Sequence, residues 1–293
     1  MKKNKLDFVV IGAQKAGTTA LHMYLRENSK IFLPPEKEAI FFSDDERYLK
    51  GVNWFFHEFF QEANDELKWG KSTPAYSCYS NISSARLKAH NRDIKIIYLL
   101  RDPVDRAISQ YRMNKKRGVE NNEINQLFQQ LFMSDSMISA QNSPTETNSY
   151  LVWGEYHRVV NDYSWVENGN FLMMNDNFLS ENTIDAVKVI SEFLGVDFVA
   201  SDVMSERFHV GGVRKFNVLD DIKKFKTLKS IWRGVIPFRY RRRVMYWMDQ
   251  WNTKVDDKMP VLDEEMINKL KIHYNKEYSL IDELEYNGGY LIK

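Results

Sequence analysis

Short apolar runs alternate with amphipathic stretches through much of the chain, an order typical of strands that alternate with helices. The apolar run Phe8–Ile11 predicts a buried strand, and a glycine loop separates it from a helical pattern over Thr18–Asn28. A second unit has the same order, with a strand over Ile94–Leu100 and a helix that has Pro103 in its first turn and ends at Gly118. This alternation predicts an α/β fold with a central parallel sheet flanked by helices.

The second half of the chain extends the pattern with fewer elements. Phe171–Met174 predicts a further strand, Thr183–Leu194 predicts a helix, and Tyr150–Val166 predicts a long central helix. The chain contains no internal repeat and no linker rich in Pro, Gly or Ser. We therefore expect a single domain over residues 1–293, a length that one α/β domain can reach.

One long stretch interrupts this pattern. Residues 119–149 are polar and rich in Asn and Gln, with a short helix predicted around Ile124–Met133. Long segments of this kind are typical of surface excursions or of lids over a binding site. The sequence predicts an insertion or a lid here and does not choose between the two.

Composition places the chain among ordinary globular proteins. Of its 293 residues 43% are hydrophobic, and 41 Lys and Arg balance 40 Asp and Glu, which excludes a disordered or fibrous chain. Cys78 is the lone cysteine and the His residues are scattered, so we expect neither a disulfide framework nor a metal site. The longest apolar run, Phe8–Ala13, is far shorter than the roughly 20 residues that span a bilayer. We expect a cytoplasmic protein without a membrane partner.

Charge is unevenly distributed in spite of the net charge of +1. Between Arg214 and Arg243 there are 11 Lys and Arg against 2 Asp and Glu, which favours an anionic ligand nearby. This basic segment lacks the motifs of nucleic-acid-binding proteins, so no nucleic-acid partner is expected. A second basic run follows the strand Ile94–Leu100 and predicts a solvated helix face formed by Arg106, Arg112, Lys115, Lys116 and Arg117.

Candidate chemistry is concentrated first in the loop Gly12–Thr19, which joins the first predicted strand to its helix. Backbone N–H groups of a glycine loop at a helix N-terminus bind anionic oxygens. The GxxxxG spacing matches a nucleotide P-loop, but Thr18 stands where that loop has lysine, and Lys15 lies two residues before the second glycine. The strand Ile94–Leu100 is also followed by Arg101 and not by a Mg²⁺-binding aspartate. Both departures weaken a kinase interpretation.

These residues carry a resemblance to a known family. Gln14–Thr19 resembles the 5′-phosphosulfate loop of sulfotransferases that use PAPS, 3′-phosphoadenosine 5′-phosphosulfate. Leu100–Pro103, followed by Arg106 and by Ser109–Tyr111, is similar to the motif that holds the 3′-phosphate in that family. Two motifs on successive strand and helix units therefore resemble the same family.

Further segments are similar to the carbohydrate branch of the family, the heparan sulfate sulfotransferase type. Lys37–Phe42, Lys50–Trp54 and Gly70–Pro74 resemble segments of that branch, and the first and last lie on its acceptor side. Val210–Lys215 falls where the family places a loop that closes over the nucleotide. The resemblance covers most of Phe8–Lys215. It implies a P-loop-like fold and transfer of the sulfuryl group of PAPS by in-line displacement, without a metal.

On the donor side the resemblance assigns the 5′-phosphosulfate to the glycine loop. The resemblance implies that the residues that hold it are Lys15, Ala16, Gly17, Thr18 and Thr19. A lysine ammonium on the leaving oxygen stabilises charge that develops only as the bond breaks, so Lys15 is predicted to be catalytic. The alternative is a solvated loop lysine.

The same resemblance assigns the 3′-phosphate to Arg101 and Ser109. A guanidinium is suited to two phosphate oxygens, and a hydroxyl can donate a third hydrogen bond. The alternatives are an ion pair of Arg101 with an aspartate of the same turn, and a surface hydroxyl for Ser109. Arg214 and Lys215, after the two glycines of the late loop, are predicted to clamp the nucleotide phosphates.

On the acceptor side Glu38 is predicted to be the base that takes a proton from the acceptor. A salt-bridged surface position is the alternative for Glu38, and His57 or His209 would then be the base, as in other branches of the family. Lys71 is predicted to hold the transferred sulfonate. Gly70 stands where relatives commonly have Glu, so the acceptor is defined only as a small molecule or carbohydrate with a hydroxyl, amine or guanidinium nitrogen.

Two other functions stay open at the level of the sequence. The glycine loop is compatible with a P-loop kinase of a small molecule. A nucleotide-binding or polyanion-binding module would keep the loop without catalysis. Transfer from PAPS in the absence of metal, with no phosphorylation by ATP and Mg²⁺, separates the predicted sulfotransferase from both.

Overall fold

The computed structural model describes residues 4–205 and 261–293, and the backbone of two short strands at 213–214 and 253–254. Contacts group the chain into two units, one formed by Met1–Phe208 with Val261–Lys293 and the other by His209–Pro260. The first unit holds a six-stranded sheet and the helices that flank it. The prediction of a single domain over residues 1–293 stays a prediction.

In the described part of the chain, six strands form the main sheet and two short strands form a separate antiparallel pair. The strands are β1 (Phe8–Gly12), β2 (Ile31–Phe32), β3 (Lys68–Ser72), β4 (Lys95–Leu100), β5 (Phe171–Asn175), β6 (Val213–Arg214), β7 (Thr253–Lys254) and β8 (Tyr290–Ile292). The main sheet has the order β2-β3-β1-β4-β5-β8, in which all neighbouring pairs are parallel except β5 and β8. The central strands β1 and β4 are buried almost throughout, as expected of parallel strands covered on both faces. The predicted α/β fold is confirmed.

Helices connect the strands of the main sheet and cover it. They are α1 (Thr18–Arg26), α2 (Asp45–Tyr48), α3 (Gly51–Phe59), α4 (Ala75–Cys78), α5 (Ser80–His90), α6 (Pro103–Arg117), α7 (Ile124–Leu131), α8 (Ser134–Asn142), α9 (Tyr156–Asp162), α10 (Asp176–Glu181), α11 (Thr183–Leu194), α12 (Glu264–His273) and α13 (Asn275–Tyr286). Short 3₁₀ turns lie at Ile40–Ser43, Val152–Gly154 and Asp202–Ser205. Among the described residues, no helix has both the length and the apolar character that crossing a membrane requires.

The two predicted units of strand, turn and helix are confirmed. β1 leads into α1, and β4 leads into α6. The carboxylate of Asp102 accepts the backbone N–H of Asp105 at 2.8 Å, which caps the start of α6. Pro103 occupies the first turn of α6, and Gly118 ends the helix in the left-handed conformation with φ 70°. Both ends of α6 are therefore fixed by the residues that the sequence places there.

The prediction of one long helix over Tyr150–Val166 is wrong. The segment contains the 3₁₀ turn Val152–Gly154 and then the short helix α9. Gly154 packs against the ring of Tyr274, and Glu155 leaves the helical region of backbone conformation with ψ 74°. Helical spacing of apolar residues does not reveal this break, because Gly154 contacts Tyr274, which lies between α12 and α13 more than a hundred residues away.

Arg106 does not belong to a solvated basic face, which corrects the prediction from the sequence. Its side chain is fully buried, where it donates to Gln110 Oε1 at 2.9 Å and to the carbonyl oxygen of Tyr150. The remaining predicted members of that face are half-buried or exposed, namely Arg112, Lys115, Lys116 and Arg117. Arg106 lies inside because acceptors for its guanidinium are available on the inner side of α6.

Residues 119–149 contain α7 and α8, and the helix predicted around Ile124–Met133 is confirmed. The inner face of α7 packs against α6 and α12 in a second hydrophobic cluster. The carbonyl oxygen of Glu146 accepts from the side-chain amides of Gln110 at 2.9 Å and Asn114 at 3.0 Å. The segment is thus attached to α6, and its role as an insertion or a lid stays a prediction.

Gly70 of β3 lies opposite Phe8 of β1, and a side chain at Gly70 would overlap the Phe8 ring. We therefore expect Gly70→Ala to lower the free energy of unfolding by about 1–3 kcal/mol, the usual cost of overpacking a core. Denaturation in urea measures this loss. Phe8→Leu in the Gly70→Ala background should recover part of it because the smaller side chain makes room. Fully additive losses in the double variant would contradict the explanation.

Candidate active site

The loop Gly12–Thr19 joins β1 to α1 at the carboxyl edge of the sheet. Gly12 lies against the side chain of Ser77, where a larger residue would overlap it. Gly17 has φ 83° and precedes α1, which has no side-chain cap among the described residues. The first-turn N–H groups of a helix have no partner within that helix. The loop and the start of α1 therefore form a surface of N–H donors suited to an anionic oxygen.

Lys15 lies in this loop, with its ammonium 3.8 Å from the sulfur of Met113 on α6. Burial lowers the pKa of Lys15 to about 8, and the charges of neighbouring cations, among them Arg101 and Lys37, contribute to the shift. Cations repel one another in a half-buried site, so their convergence on one loop favours an anionic ligand there. The side chain is half-buried and is not the solvated loop lysine considered as the alternative.

Arg101 follows β4 and brings the second predicted motif against the first. Its Nη1 donates to the carbonyl oxygen of Lys15 at 3.2 Å. Its own carbonyl oxygen accepts from the Tyr156 hydroxyl at 2.7 Å, and the Tyr278 hydroxyl donates to Asp102 Oδ2 at 2.9 Å. These contacts fix the turn at the end of β4, so the guanidinium lies beside the glycine loop.

Two carboxylates flank the Arg101 guanidinium. Asp176 Oδ2 lies 3.7 Å from Nε, and Asp105 Oδ2 lies 4.0 Å from Nη2. The ion pair with Asp105 is the alternative foreseen from the sequence, whereas the nearer partner Asp176 was not foreseen. Both ion pairs are long, so the guanidinium retains N–H donors for a further anion. Burial raises the pKa of Asp176 to about 6, and the charge of Arg101 opposes this shift.

Lys37 is a functional candidate that lies within a predicted acceptor-side motif but for which no role was predicted from the sequence. Its ammonium donates to Thr18 Oγ1 at 3.1 Å and to Glu38 Oε1 at 3.1 Å, and its side chain is only 10% exposed. Lys37 thus adds a cation to the end of the glycine loop, beside Lys15 and Arg101. Its position next to Glu38 in the acceptor-side segment was the available signal.

The segment 36–39, which carries the predicted base, is attached to the end of β3. The Lys71 ammonium donates to the carbonyl oxygen of Glu36 at 2.5 Å. The Tyr76 hydroxyl donates to the carbonyl oxygen of Ala39 at 2.6 Å, and the N–H of Ala39 donates to Thr73 Oγ1 at 3.2 Å. Because β3 pairs with β1, these contacts fix the segment relative to the strand that leads into the glycine loop.

The two predicted acceptor-side residues occupy different environments. Lys71 is fully buried, and its ammonium also lies 4.3 Å from the centroid of the Phe59 ring. In this arrangement Lys71 supports the segment that carries Glu38, and its contact with the sulfonate stays a prediction. The Glu38 side chain is 56% exposed and accepts a hydrogen bond from Lys37. It is therefore accessible to an acceptor, and its role as the base stays a prediction.

Ser109 is half-buried on α6, four residues before Met113, which contacts Lys15. Residues four apart share one face of a helix, so Ser109 lies on the side of α6 that faces the loop. His57 is exposed on α3, with a ring nitrogen 3.3 Å from the Gln61 amide. In the described part of the chain, no hydrogen bond or ion pair joins His57 to the loop. The roles of Ser109 and His57 stay predictions.

Three predicted residues fall outside those whose side chains the structure describes. They are His209, Arg214 and Lys215, and for Arg214 the backbone alone is described, in β6. The clamp on the nucleotide phosphates and the second histidine alternative for the base therefore stay predictions.

A cavity of about 390 Å³ opens next to the segment that carries Glu38. Its walls are formed by Ile40, Ser43, Asp44, Asp45, Glu46, Tyr79 and Ile82. Ile40 comes two residues after Glu38, and Tyr79 follows α4 near the carboxyl end of β3. The cavity is therefore lined in part by the segment that follows Glu38 in the chain.

Fold and site together define an α/β protein with a cationic glycine loop at the carboxyl edge of its sheet. Comparison with known proteins identifies the family to which the chain belongs. The sequence matches the family model described as a sulfotransferase domain over residues 5–282, so the chain belongs to the sulfotransferase domain family. The sulfotransferase predicted from the motifs is confirmed at this level, and the kinase interpretation is not favoured.

Individual relatives agree with the family. The membrane-associated sulfotransferase kil1 of Dictyostelium discoideum is 37% identical over 108 residues, which are 36% of this chain and 22% of that protein. The bifunctional heparan sulfate N-deacetylase/N-sulfotransferase 2 of Bos taurus is 28% identical over 200 residues, which are 64% of this chain and 22% of that protein. The chain thus spans 22% of the length of each of these relatives. The second of them is of the heparan sulfate type that the motifs resemble.

A solved structure supports the fold. The crystal structure of a sulfotransferase from Alicyclobacillus acidocaldarius superimposes with a TM-score of 0.58 and is 24% identical in sequence. The match covers 70% of this chain and 87% of that one. The mostly parallel sheet flanked by helices is therefore the fold of a known sulfotransferase.

Proposed function

We propose that the protein transfers the sulfuryl group of PAPS to a hydroxyl or nitrogen of a small-molecule or carbohydrate acceptor. The observation that carries this proposal is the convergence of Lys15, Lys37 and Arg101 on one glycine loop at a helix N-terminus. PAPS has anionic groups at two ends of one adenosine, and the two motifs offer cations at two points. The family of the chain supports the same chemistry.

The residues present fit the donor. The first-turn N–H groups of α1, with Lys15 and Lys37, would hold the 5′-phosphosulfate, and Arg101 with Ser109 would hold the 3′-phosphate. PAPS supplies a sulfuryl group on a bridging oxygen that departs with negative charge. The Lys15 ammonium stabilises that oxygen, and this contact is stronger in the transition state than before the bond breaks.

Glu38 completes the transfer on the acceptor side. The acceptor oxygen or nitrogen forms its bond to sulfur while the bridging oxygen keeps the electron pair of the broken bond. The proton of the acceptor goes to the Glu38 carboxylate. This carboxylate is exposed, and it pairs with Lys37, which also donates to Thr18 of the glycine loop. Cationic groups thus lie where the leaving oxygen becomes negative, and the anionic Glu38 lies where the acceptor loses its proton.

The cavity lined by Ile40, two residues after Glu38 in the chain, supports an acceptor of small size. Its volume of about 390 Å³ lies within the range of small-molecule sites. Ile40 and Ile82 supply apolar walls, while Tyr79 and the carboxylates supply polar contacts. We therefore propose that the acceptor is a small molecule or a short stretch of carbohydrate.

Radiolabelled PAPS and a panel of hydroxyl and amine acceptors test the proposal. With a chelator present, we expect labelled sulfonated product, whereas ATP with Mg²⁺ should give no phosphorylated product. The opposite result would select a kinase. Affinity for PAP, adenosine 3′,5′-bisphosphate, without turnover of any acceptor would select a binding module.

Arg101→Ala is expected to weaken PAP binding by about 100-fold, since charge-assisted hydrogen bonds contribute about 1.5–3 kcal/mol. Affinity for AMP, which lacks the 3′-phosphate, should change by less than about threefold. Isothermal calorimetry measures both constants. Arg47→Ala, at an exposed position of α2, is the matched control and should change neither affinity. Equal affinity for PAP in the wild-type protein and the Arg101 variant would contradict the assignment.

A further inference from the structure

Asp176 is a half-buried carboxylate beside the predicted 3′-phosphate site, and no role was predicted for it from the sequence. It follows β5 directly, and its side chain is 18% exposed. Its position is fixed by the backbone on either side. The N–H of Asn175 donates to the carbonyl oxygen of Gly289 at 2.9 Å, and Asn175 Oδ1 accepts the N–H of Asn177 at 2.9 Å.

Asp176 faces Arg101 across neighbouring strands. β4 and β5 pair in parallel, with Leu100 opposite Asn175, so the residues that follow them lie side by side. Three oxygens surround the guanidinium, namely the Lys15 carbonyl at 3.2 Å, Asp176 at 3.7 Å and Asp105 at 4.0 Å. The two carboxylates differ in exposure, because the Asp105 side chain is 63% exposed and Asp176 is mostly buried.

An anion that binds Arg101 must share it with Asp176. A phosphate and a carboxylate on the same guanidinium repel each other, and burial strengthens this repulsion because little water screens it. The same repulsion at Asp105 is screened by solvent. Asp176 therefore has a charge effect on a bound phosphate that Asp105 lacks, although both lie at similar distances from the guanidinium.

We propose that Asp176 is a positioning residue that holds the Arg101 guanidinium and competes with the 3′-phosphate for it, so that PAP is released more easily. This inference rests on the proposed function, because it concerns the same nucleotide site. It assigns Asp176 to control of affinity for the product, not to the chemical step. The carboxylate keeps its negative charge near neutral pH, since the pKa of Asp176 is raised only to about 6.

The test compares Asp176→Asn with Asp105→Asn by calorimetry near pH 7.5. We expect Asp176→Asn to bind PAP about tenfold more tightly than the wild-type protein, because a like charge has been removed from a half-buried site. Its affinity for AMP should stay within about twofold, since AMP places no phosphate on Arg101. Asp105→Asn should change the affinity for PAP by less than about twofold because solvent screens that carboxylate.

A structural role for Asp176 would weaken AMP and PAP alike, so the ratio of the two affinities separates the roles. PAP affinity that is unchanged or lower in Asp176→Asn, with AMP affinity intact, would overturn the inference. If Asp176→Asn fails to fold, as judged by thermal unfolding, Asp176→Ser must give the same tightening of PAP or the inference is lost. Failure of the proposed function looks different, because the wild-type protein would then show no preference for PAP over AMP.

Discussion

Replacement of Lys15 by alanine is expected to lower kcat about 10³-fold. The reason is that the ammonium of Lys15 meets an oxygen whose charge appears only as the sulfur–oxygen bond breaks, so its loss raises the barrier more than it weakens binding. Affinity for PAP should fall much less than kcat. Initial rates at saturating PAPS and acceptor, with calorimetric binding of PAP, measure the two effects.

Lys188→Ala is the matched control, because Lys188 is an exposed helix residue that pairs with Asp185 and lies outside the site. A second readout is pH. The pKa of Lys15 is about 8, and the protonated form is the active one, so kcat/KM for PAPS should fall as the pH rises above that value. Lys15→Arg keeps its charge and should lose this alkaline limb. A Lys15→Ala variant with near wild-type kcat would remove Lys15 from the chemical step.

Replacement of Glu38 by glutamine is expected to lower kcat about 10³-fold, within the usual range for a general base. The amide keeps the shape of the side chain and its contact with Lys37 but cannot accept the acceptor's proton. PAP binding should be unaffected, because the donor groups lie in the glycine loop and at Arg101. Turnover of the acceptor found in the PAPS screen, measured across pH, gives the result.

Glu58→Gln is the matched control for Glu38→Gln, since Glu58 is an exposed carboxylate on α3. It should keep wild-type turnover. Near-normal turnover by Glu38→Gln at every pH would show that the proton acceptor is another residue. His57→Ala and His209→Ala would then be measured next, and a loss in either variant would identify the histidine.

The positions of the two donor-side motifs could be predicted from the sequence because both motifs are short segments at strand ends. Gly12–Thr19 is continuous in the chain, and the strand before it and the helix after it place it at the edge of the sheet. The turn after β4 is equally local, with Arg101 at the strand end and Pro103 at the helix start. Local patterns of this kind can be recognised in the sequence without knowledge of the tertiary structure.

The missed residues are those whose roles depend on distant neighbours. Arg106 is buried because Gln110 and the Tyr150 carbonyl accept its hydrogen bonds, and Tyr150 is 44 residues away. Asp176 reaches Arg101 only because β4 and β5 are adjacent in the sheet. A periodic pattern of apolar residues carries no information about such pairings. Strand order therefore had to come from the structure.

Lys71 illustrates a residue for which a role was predicted and whose contacts were not. The resemblance places Lys71 on the acceptor side, and the structure shows it in β3, a strand that the sequence did not predict. Its ammonium, however, donates to the Glu36 carbonyl and lies over the Phe59 ring. The segment with Glu36 and the helix with Phe59 meet β3 only in the folded chain, so no local pattern reports these contacts.

The attachment of segment 36–39 to β3 has a consequence for the spacing of the two ends of the site. Lys15 follows β1, the segment that carries Glu38 is attached to the neighbouring strand β3, and neighbouring strands lie about 4.8 Å apart. The sheet therefore fixes the distance between the chain segments that carry Lys15 and Glu38. In the proposed reaction, this fixed spacing selects acceptors by their length and reach.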